Sequence, residues 1–437
     1  MRLTTADLWE SAPGTVLRWD VVPTGRPAPA ALSLNQRNHL AAAASGEAAV
    51  WLAAAFDVDG PIDTVALGRA WDALVARHDS LQLEALPGDG AAAARRHDPA
   101  ALRWSVTTEA MPQTPGETGA TLRALLDRHC APLRGYPAFA PLAVSRADRS
   151  TVVLGMDHLH CDAYSVAVVV DELATLYDAV RHDRARPLPT VATGVSGDIA
   201  PVPPDDERIG GWHDFLEARD FTLPTWPLPL GVPSGARLPQ ASTVGRLASA
   251  DRLEALGARA RAVGVSTYAV VLASLAAALH DLGGPERLDT LVPVQTRAGE
   301  SGRTVGWHTT TVPVSVRADV SDAGLAAAGA AVRNGVRLGA VPLDQVLGSL
   351  PRPLVQTRRD VFMVSWIDYR HLPGADRAAE RAATHVSAST LADDVQLWLA
   401  RTDAGLSLRT RFPDTPEARR GLESVLKTWA ARLGAVG

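Results

Sequence analysis

The stretch "GMDHLHCDAYS", residues 155–165, sets two histidines and two aspartates within the six positions from Asp157 to Asp162. Before it runs Thr151-Val-Val-Leu154, an apolar run of the kind found in a buried strand, and after it the spacing predicts an amphipathic helix over Ser165–Val180. Polar side chains between two buried elements are costly unless they are bonded, so the stretch carries either a site or a fully satisfied strand end.

Three readings follow from the residues. His158-x-His160-x-Asp162 matches most of the H-x-H-x-D-H run that binds zinc pairs, but Ala163 stands where the last histidine belongs. His213, His280 and His308 are scattered without ligand spacing, so the metal reading is weak. In the second reading the strand persists to residue 158. Alternation then sets Met156 and His158 on one face and Asp157 on the other. His158 projects from a strand end, where a neutral imidazole suits a general base, and Asp162 orients the loop. In the third, His158 is a bonded core histidine and Asp162 a helix cap.

The rest of the chain bounds the choice. At 437 residues, 46% apolar and 21% charged, it is long enough for two cores of ordinary globular composition. A net charge of −5 gives no basic footprint for nucleic acid. Cys130 and Cys161 are the only cysteines, which excludes a disulfide scaffold and a cysteine zinc site. Of 43 basic residues only Lys427 is lysine, in a C-terminal amphipathic stretch, so lysine-based covalent mechanisms and phosphate loops have no candidate. No G-x-S-x-G elbow occurs, and Gly88-Asp-Gly90 lacks the context of a dinucleotide loop. Asp79-Ser80-Leu81 mimics the attachment triplet of carrier proteins but lies between a helix end and a strand, where it reads as a turn. The N-terminus shows no signal pattern, and the most apolar run, Val263–Leu279, carries polar residues and reads as a core helix, so a cytoplasmic protein without an integral membrane segment is expected.

Periodicity predicts strands over 48–58, 81–86, 151–156, 288–294, 311–316 and 361–367. It predicts helices over 62–77, 165–180, 212–220, 267–282 and 417–433. Gly283-Gly284 supplies the left-handed cap of the 267–282 helix. Proline, glycine and charge over 181–211 mark a linker. The class is α+β in two comparable domains, 1–182 and 212–437, joined by 183–211.

"MDHLHCDAYSVAVVVDELATLY" (156–177) resembles the signature of the condensation-domain acyltransferases, H-H-x-x-x-D-G followed by an aromatic, serine and a helix. His158 matches the second histidine and Asp162 the aspartate, while Asp157 stands in place of the first histidine and Ala163 in place of the glycine. "LSLNQRNHL" (32–40), "LVARHDSLQLEA" (74–85), "LVPVQTRAGE" (291–300) and "GWHTTTVPVSVRAD" (306–319) agree in order. The Asp-His-Leu-His form, "WESAPGTVLRW" (9–19) and "LPTWPLPLG" (223–231) look most like the polyketide-associated-protein (Pap) branch.

The resemblance implies two chloramphenicol-acetyltransferase-like domains in a V-shaped pseudo-dimer, with a central tunnel and the histidine at its middle. It implies His158 as base and Asp162 as its structural companion. Asp157 and Arg297 give support, Arg297 by pairing with Asp162 and so tying the loop to the second domain. Gly306, Trp307 and Thr309 line the tunnel. No cofactor is implied. An acyl-CoA or phosphopantetheine thioester is the co-substrate, with an acyl or peptidyl carrier protein as one donor, and a sugar hydroxyl, trehalose among them, as acceptor. A free-standing amide-forming condensation enzyme and a catalytically silent docking module are the alternatives. Ala163 is the one feature favouring the last, since a left-handed conformation there costs a non-glycine residue roughly 1 kcal/mol.

Overall fold

The computed structural model describes residues 1–86, 93–184, 186–192, 198–297 and 302–436. The Gly88-Asp-Gly90 segment lies outside the described residues. Contacts divide the chain into two units. The first holds Met1–Asp198 with two later segments, Arg297–His308 and Tyr369–Thr390; the second holds Ile199–Thr296, Thr309–Asp368 and Leu391–Gly437. The units therefore differ from the contiguous domains 1–182 and 212–437 that the sequence suggests. Arg297, placed by the sequence reading in the second domain, belongs to the first unit.

The first unit is built on a seven-stranded sheet in the order Arg2–Thr5, Thr384–Ser387, Trp51–Asp59, Arg149–Asp157, Phe139–Ser145, Thr15–Pro23, Leu102–Ala110. Arg149–Asp157 is its middle strand, antiparallel to both neighbours. Its side chains are buried from Ser150 to Asp157 because helices cover both faces, which explains an unbroken apolar run in place of alternation. Helices Thr64–Arg77 and Ala163–Arg181 pack with Leu52, Phe56, Val152 and Leu154 on one face. Helix Pro115–His129 packs with Trp51, Ala55 and Val153 on the other. A Cβ on Gly155 would sit 2.0 Å from Leu126 Cδ2, so any larger residue here must displace the Leu126 side chain. Truncating Leu154 to alanine in such a core costs about 2–5 kcal/mol.

Helix Ala163–Arg181 contains Val166 and Val168–Val170, whose β-branched side chains disfavour helix. Two features override that. Asp162 caps the helix, accepting from the Ser165 amide at 2.9 Å, and the valine face is buried. Ala163 is the first helical residue and is not among those with positive φ, so the expected strain at this position is absent.

The second unit has its own seven-stranded sheet, ordered Thr309–Arg317, Arg287–Gln295, Met363–Asp368, Gln396–Thr402, Gly405–Pro413, Leu238–Ser249, Leu391–Ala392. Its central helix, Thr267–Asp281, is buried from Tyr268 to Leu279. Gly283, at φ +88°, and the Gly284 amide bonded to Leu279 O close that helix as the glycine pair predicts. Among the described residues no single helix is long and apolar enough to cross a membrane; a bent pair, Ala250–Val263 and Thr267–Asp281, passes only by length and composition, and its apolar half is this core helix.

Candidate active site

The middle strand of the first unit ends at Asp157, one residue earlier than the alternation reading placed it, and His158 begins a tight turn. The His158 amide still donates to Val50 O at 2.8 Å. Within the turn, the Leu159 amide donates to Asp157 Oδ1 at 2.9 Å and the His160 amide to Asp157 O at 2.9 Å. Two neighbours clamp it from outside. Gln36 Nε2 donates to Leu159 O at 2.8 Å, and Ser80 Oγ to His160 O at 2.7 Å. Ser80, the middle of the carrier-like triplet, is thus ordinary turn chemistry in the 3-10 segment Asp79–Gln82.

The two motif histidines differ in environment. His160 is fully buried; its Nδ1–H donates to Ser80 O at 2.6 Å, and its Nε2 is buried with no partner among the described residues. Burial holds its imidazole below the usual range. His158 is half-buried. Trp307 stacks on it with ring centroids 3.8 Å apart at 35°. Its Nδ1 is buried and unbonded to any other described residue, which leaves Nε2 as the nitrogen that can meet a substrate. Burial, then the neighbouring His39, push the His158 imidazole down to about 4 against its own backbone carbonyl, Asp157 and Asp162. It is neutral at physiological pH, the form a base requires.

Asp162 is fully committed elsewhere. Arg297 binds it in a fork, Nη1 to Oδ2 at 2.6 Å and Nη2 to Oδ1 at 3.0 Å, with both side chains almost wholly buried. Ser165 Oγ donates to Oδ1 at 2.8 Å and the His308 amide to Oδ2 at 3.0 Å. Arg297 also donates from Nε to Thr304 O and from Nη2 to Gly306 O, and lies 4.7 Å from the Tyr164 ring centroid. Burial alone would raise the Asp162 carboxyl, but the Arg297 charge and these hydrogen bonds hold it below the ordinary value. The aspartate therefore anchors the turn and the 302–308 segment and has no lone pair to spare for a reacting group.

The structure brings together Asp157, His158, Asp162, Arg297, Gly306 and Trp307 in the first unit. Gly306 is forced by the His308 ring, whose Nε2 would lie 2.4 Å from a Cβ there. Gly306, Trp307 and His308 line a cavity of about 260 Å³ with Ser33, Gln36 and Ser80. Thr309 instead opens a strand of the second unit, paired with Gln295. The sequence reading missed two residues. His39 Nε2 lies 2.7 Å from Asp157 Oδ1, and His308 is buried, its imidazole lowered to about 4 by burial and by Arg297. His39 sits inside the quoted "LSLNQRNHL", but nothing local shows a pairing across 118 positions. Among the described residues no group of three His, Cys, Asp or Glu side chains has metal-holding geometry. Both cysteines are buried with thiols pushed up by burial, which makes them poor nucleophiles.

Comparison with known proteins adds to this geometry. No family model matches the chain. Acyltransferase PapA3 of Mycobacterium tuberculosis is 28% identical over 300 residues, 65% of this chain and 63% of that protein's length. The 2'-acyl-2-O-sulfo-trehalose (hydroxy)phthioceranyltransferase PapA1 of the same species is 26% identical over 454 residues, covering 96% of this chain and 85% of that one. Among solved structures, a PapA2 acyl transferase superposes with a TM-score of 0.86 at 23% identity, over 100% of this chain and 99% of that one. The first condensation domain of the calcium-dependent antibiotic synthetase superposes at 0.65 and 19% identity, over 93% and 97%.

Proposed function

We propose that the chain is a Pap-type acyltransferase of the condensation-domain superfamily, on its likeness to PapA3, PapA1 and the PapA2 fold, and that it moves an acyl group from a thioester, acyl-CoA or carrier-bound, onto a hydroxyl of a trehalose-like sugar. His158 Nε2 accepts the hydroxyl proton as the oxygen attacks the thioester carbonyl. The tetrahedral oxyanion collapses to the ester, the C–S bond breaks, and the thiolate takes the proton back from the His158 imidazolium. Asp162 and Arg297 stay outside the chemistry and hold the turn in place.

The observation that carries this reading is the contrast within one turn. His158 is neutral, half-buried and free at Nε2, beside an aspartate locked by a buried arginine fork. The sugar acceptor rests on the relatives, PapA1 being named for an acylated sulfo-trehalose. A base also suits a hydroxyl, which must lose its proton as it attacks, more than an amine, which is already nucleophilic. The docking-module reading loses its one support, because Ala163 is unstrained. The test is a competition in which one acyl-CoA is offered trehalose together with amino-acid and aryl amines. Ester on trehalose is expected. Amide as sole product would replace this reading with the condensation enzyme, and no product despite donor binding would replace it with the docking module.

A further inference from the structure

The polar residues of the turn leave one pair unused by the proposed reaction. Asp157 is completely buried; its Oδ1 takes the Leu159 amide and His39 Nε2, and its Oδ2 is buried with no hydrogen-bond partner among the described residues. A carboxylate so placed is unfavourable without a compensating donor or cation. His39, on helix Leu34–Ala44, supplies it. The helix is pinned one turn earlier by Gln36, whose amide donates to Leu159 O at 2.8 Å, so two side chains of one helical face grip the same turn.

His39 does more than balance Asp157. Its ring meets the Trp307 indole edge-on, centroids 5.8 Å apart at 69°, and Trp307 stacks on His158 at 3.8 Å. His39 also lies 6.3 Å from His158 directly. The rings form a continuous chain from a buried carboxylate to one face of the base. We propose that His39 is a positioning residue for the acyl transfer assigned above: held by Asp157, it fixes Trp307 against His158 and so sets the direction in which Nε2 meets a hydroxyl. The inference rests on that functional reading.

A second consequence is electrostatic. The charged groups acting on His158 are Asp157 and Asp162 from its own turn and His39 from helix Leu34–Ala44, with Asp162 itself held by the Arg297 guanidinium and the His308 amide. The aspartates favour the imidazolium, whereas a charged His39 opposes it. Burial acts in the same direction as His39.

The experiment uses the full chain with an acyl-CoA and trehalose as probes. His39→Ala removes the hydrogen bond to Asp157 and the ring; His39→Gln keeps an amide donor toward Asp157 and removes the imidazole. We expect kcat to fall roughly 10- to 100-fold in His39→Ala, with KM for acyl-CoA changed less than about two-fold, and to recover most of that loss in His39→Gln. In both variants the acid limb of the pH profile, and the NMR titration of the His158 ring, should move to higher pH. Should His39→Ala fail to fold, His39→Leu replaces it. A folded variant with unchanged kcat and an unmoved His158 titration overturns the proposal. If His158→Ala is itself active, the base assignment falls separately, while the titration still reports the coupling of the two rings.

Discussion

Two imidazoles of one turn titrate under different constraints: His160 is sealed against Ser80 O, while His158 keeps Nε2 open under Trp307. With His158 at about 4, the acyl-transfer rate should stay level from neutral pH down to roughly one unit above that value, then drop about tenfold per unit. A midpoint near 6.5 in the pH–rate profile would show that burial and His39 do not act as described. Stability follows the same linkage. His158 and His308 have folded values of about 4, below the ordinary 6.5, so the unfolded chain binds more protons between those limits. Their contribution is full above about pH 6.5 and lost as pH falls toward 4, so Tm should decline across that window, before Asp162 protonates below its ordinary value of 3.8. A flat Tm over that range would contradict it. The Asp162–Arg297 fork is buried on both sides: Asp162→Asn or Arg297→Met leaves a buried charge unpaired, at about 3–5 kcal/mol. A double-mutant cycle in denaturant should show strong coupling, and simple additivity would mean the pair contributes nothing specific.

At the level of elements, what the sequence made legible was apolar and long. The middle strand, helix Ala163–Arg181 and helix Thr267–Asp281 stand out because burial on both sides leaves uninterrupted hydrophobic runs. Strands Leu102–Ala110 and Leu238–Ser249 escape the pattern because each is largely exposed and mixes threonine, serine and arginine without alternation. Helix Asp322–Leu338 has a clear apolar face, Leu325, Ala328 and Leu338 among its buried residues, but it is carried largely by alanine and glycine, and the sequence reading missed it. Helix Leu34–Ala44 is the instructive case. It buries only Gln36 and Leu40, and docks through polar groups, a capping box of Ser33 with Gln36 and the reach of Gln36 and His39 to the turn. Residues of the site were therefore readable where a motif carried them, as with His158, Asp162 and Arg297, and hidden where an unpatterned helix delivered them, as with His39. Gln36→Ala strips partners from the Leu159 carbonyl and the Ser33 amide, so it should destabilise the chain by about 1–3 kcal/mol. An unchanged Tm would mean that this helix does not hold the turn.

Across the whole molecule, each unit has its own seven-stranded sheet and core, and each is discontinuous in sequence, the first by two late returns of the chain. The first needs Arg297–His308 to neutralise Asp162 and cover His158, and Thr384–Ser387 to pair with Trp51–Asp59. Periodicity finds elements but not long returns of the chain, which explains why a contiguous division looked natural. Residues 1–198 expressed alone should thus lack a cooperative unfolding transition; a fragment with native-like near-UV circular dichroism would show that the returning segments are dispensable. If this fold presents His158 as the base of an O-acyl transfer, turnover of His158→Ala with acyl-CoA and trehalose, measured alongside its unfolding curve, decides the matter. A folded protein whose ester formation is slower by about 10²–10⁴ is expected. Ester formation at the unaltered rate in a folded His158→Ala protein would contradict His158 as the base.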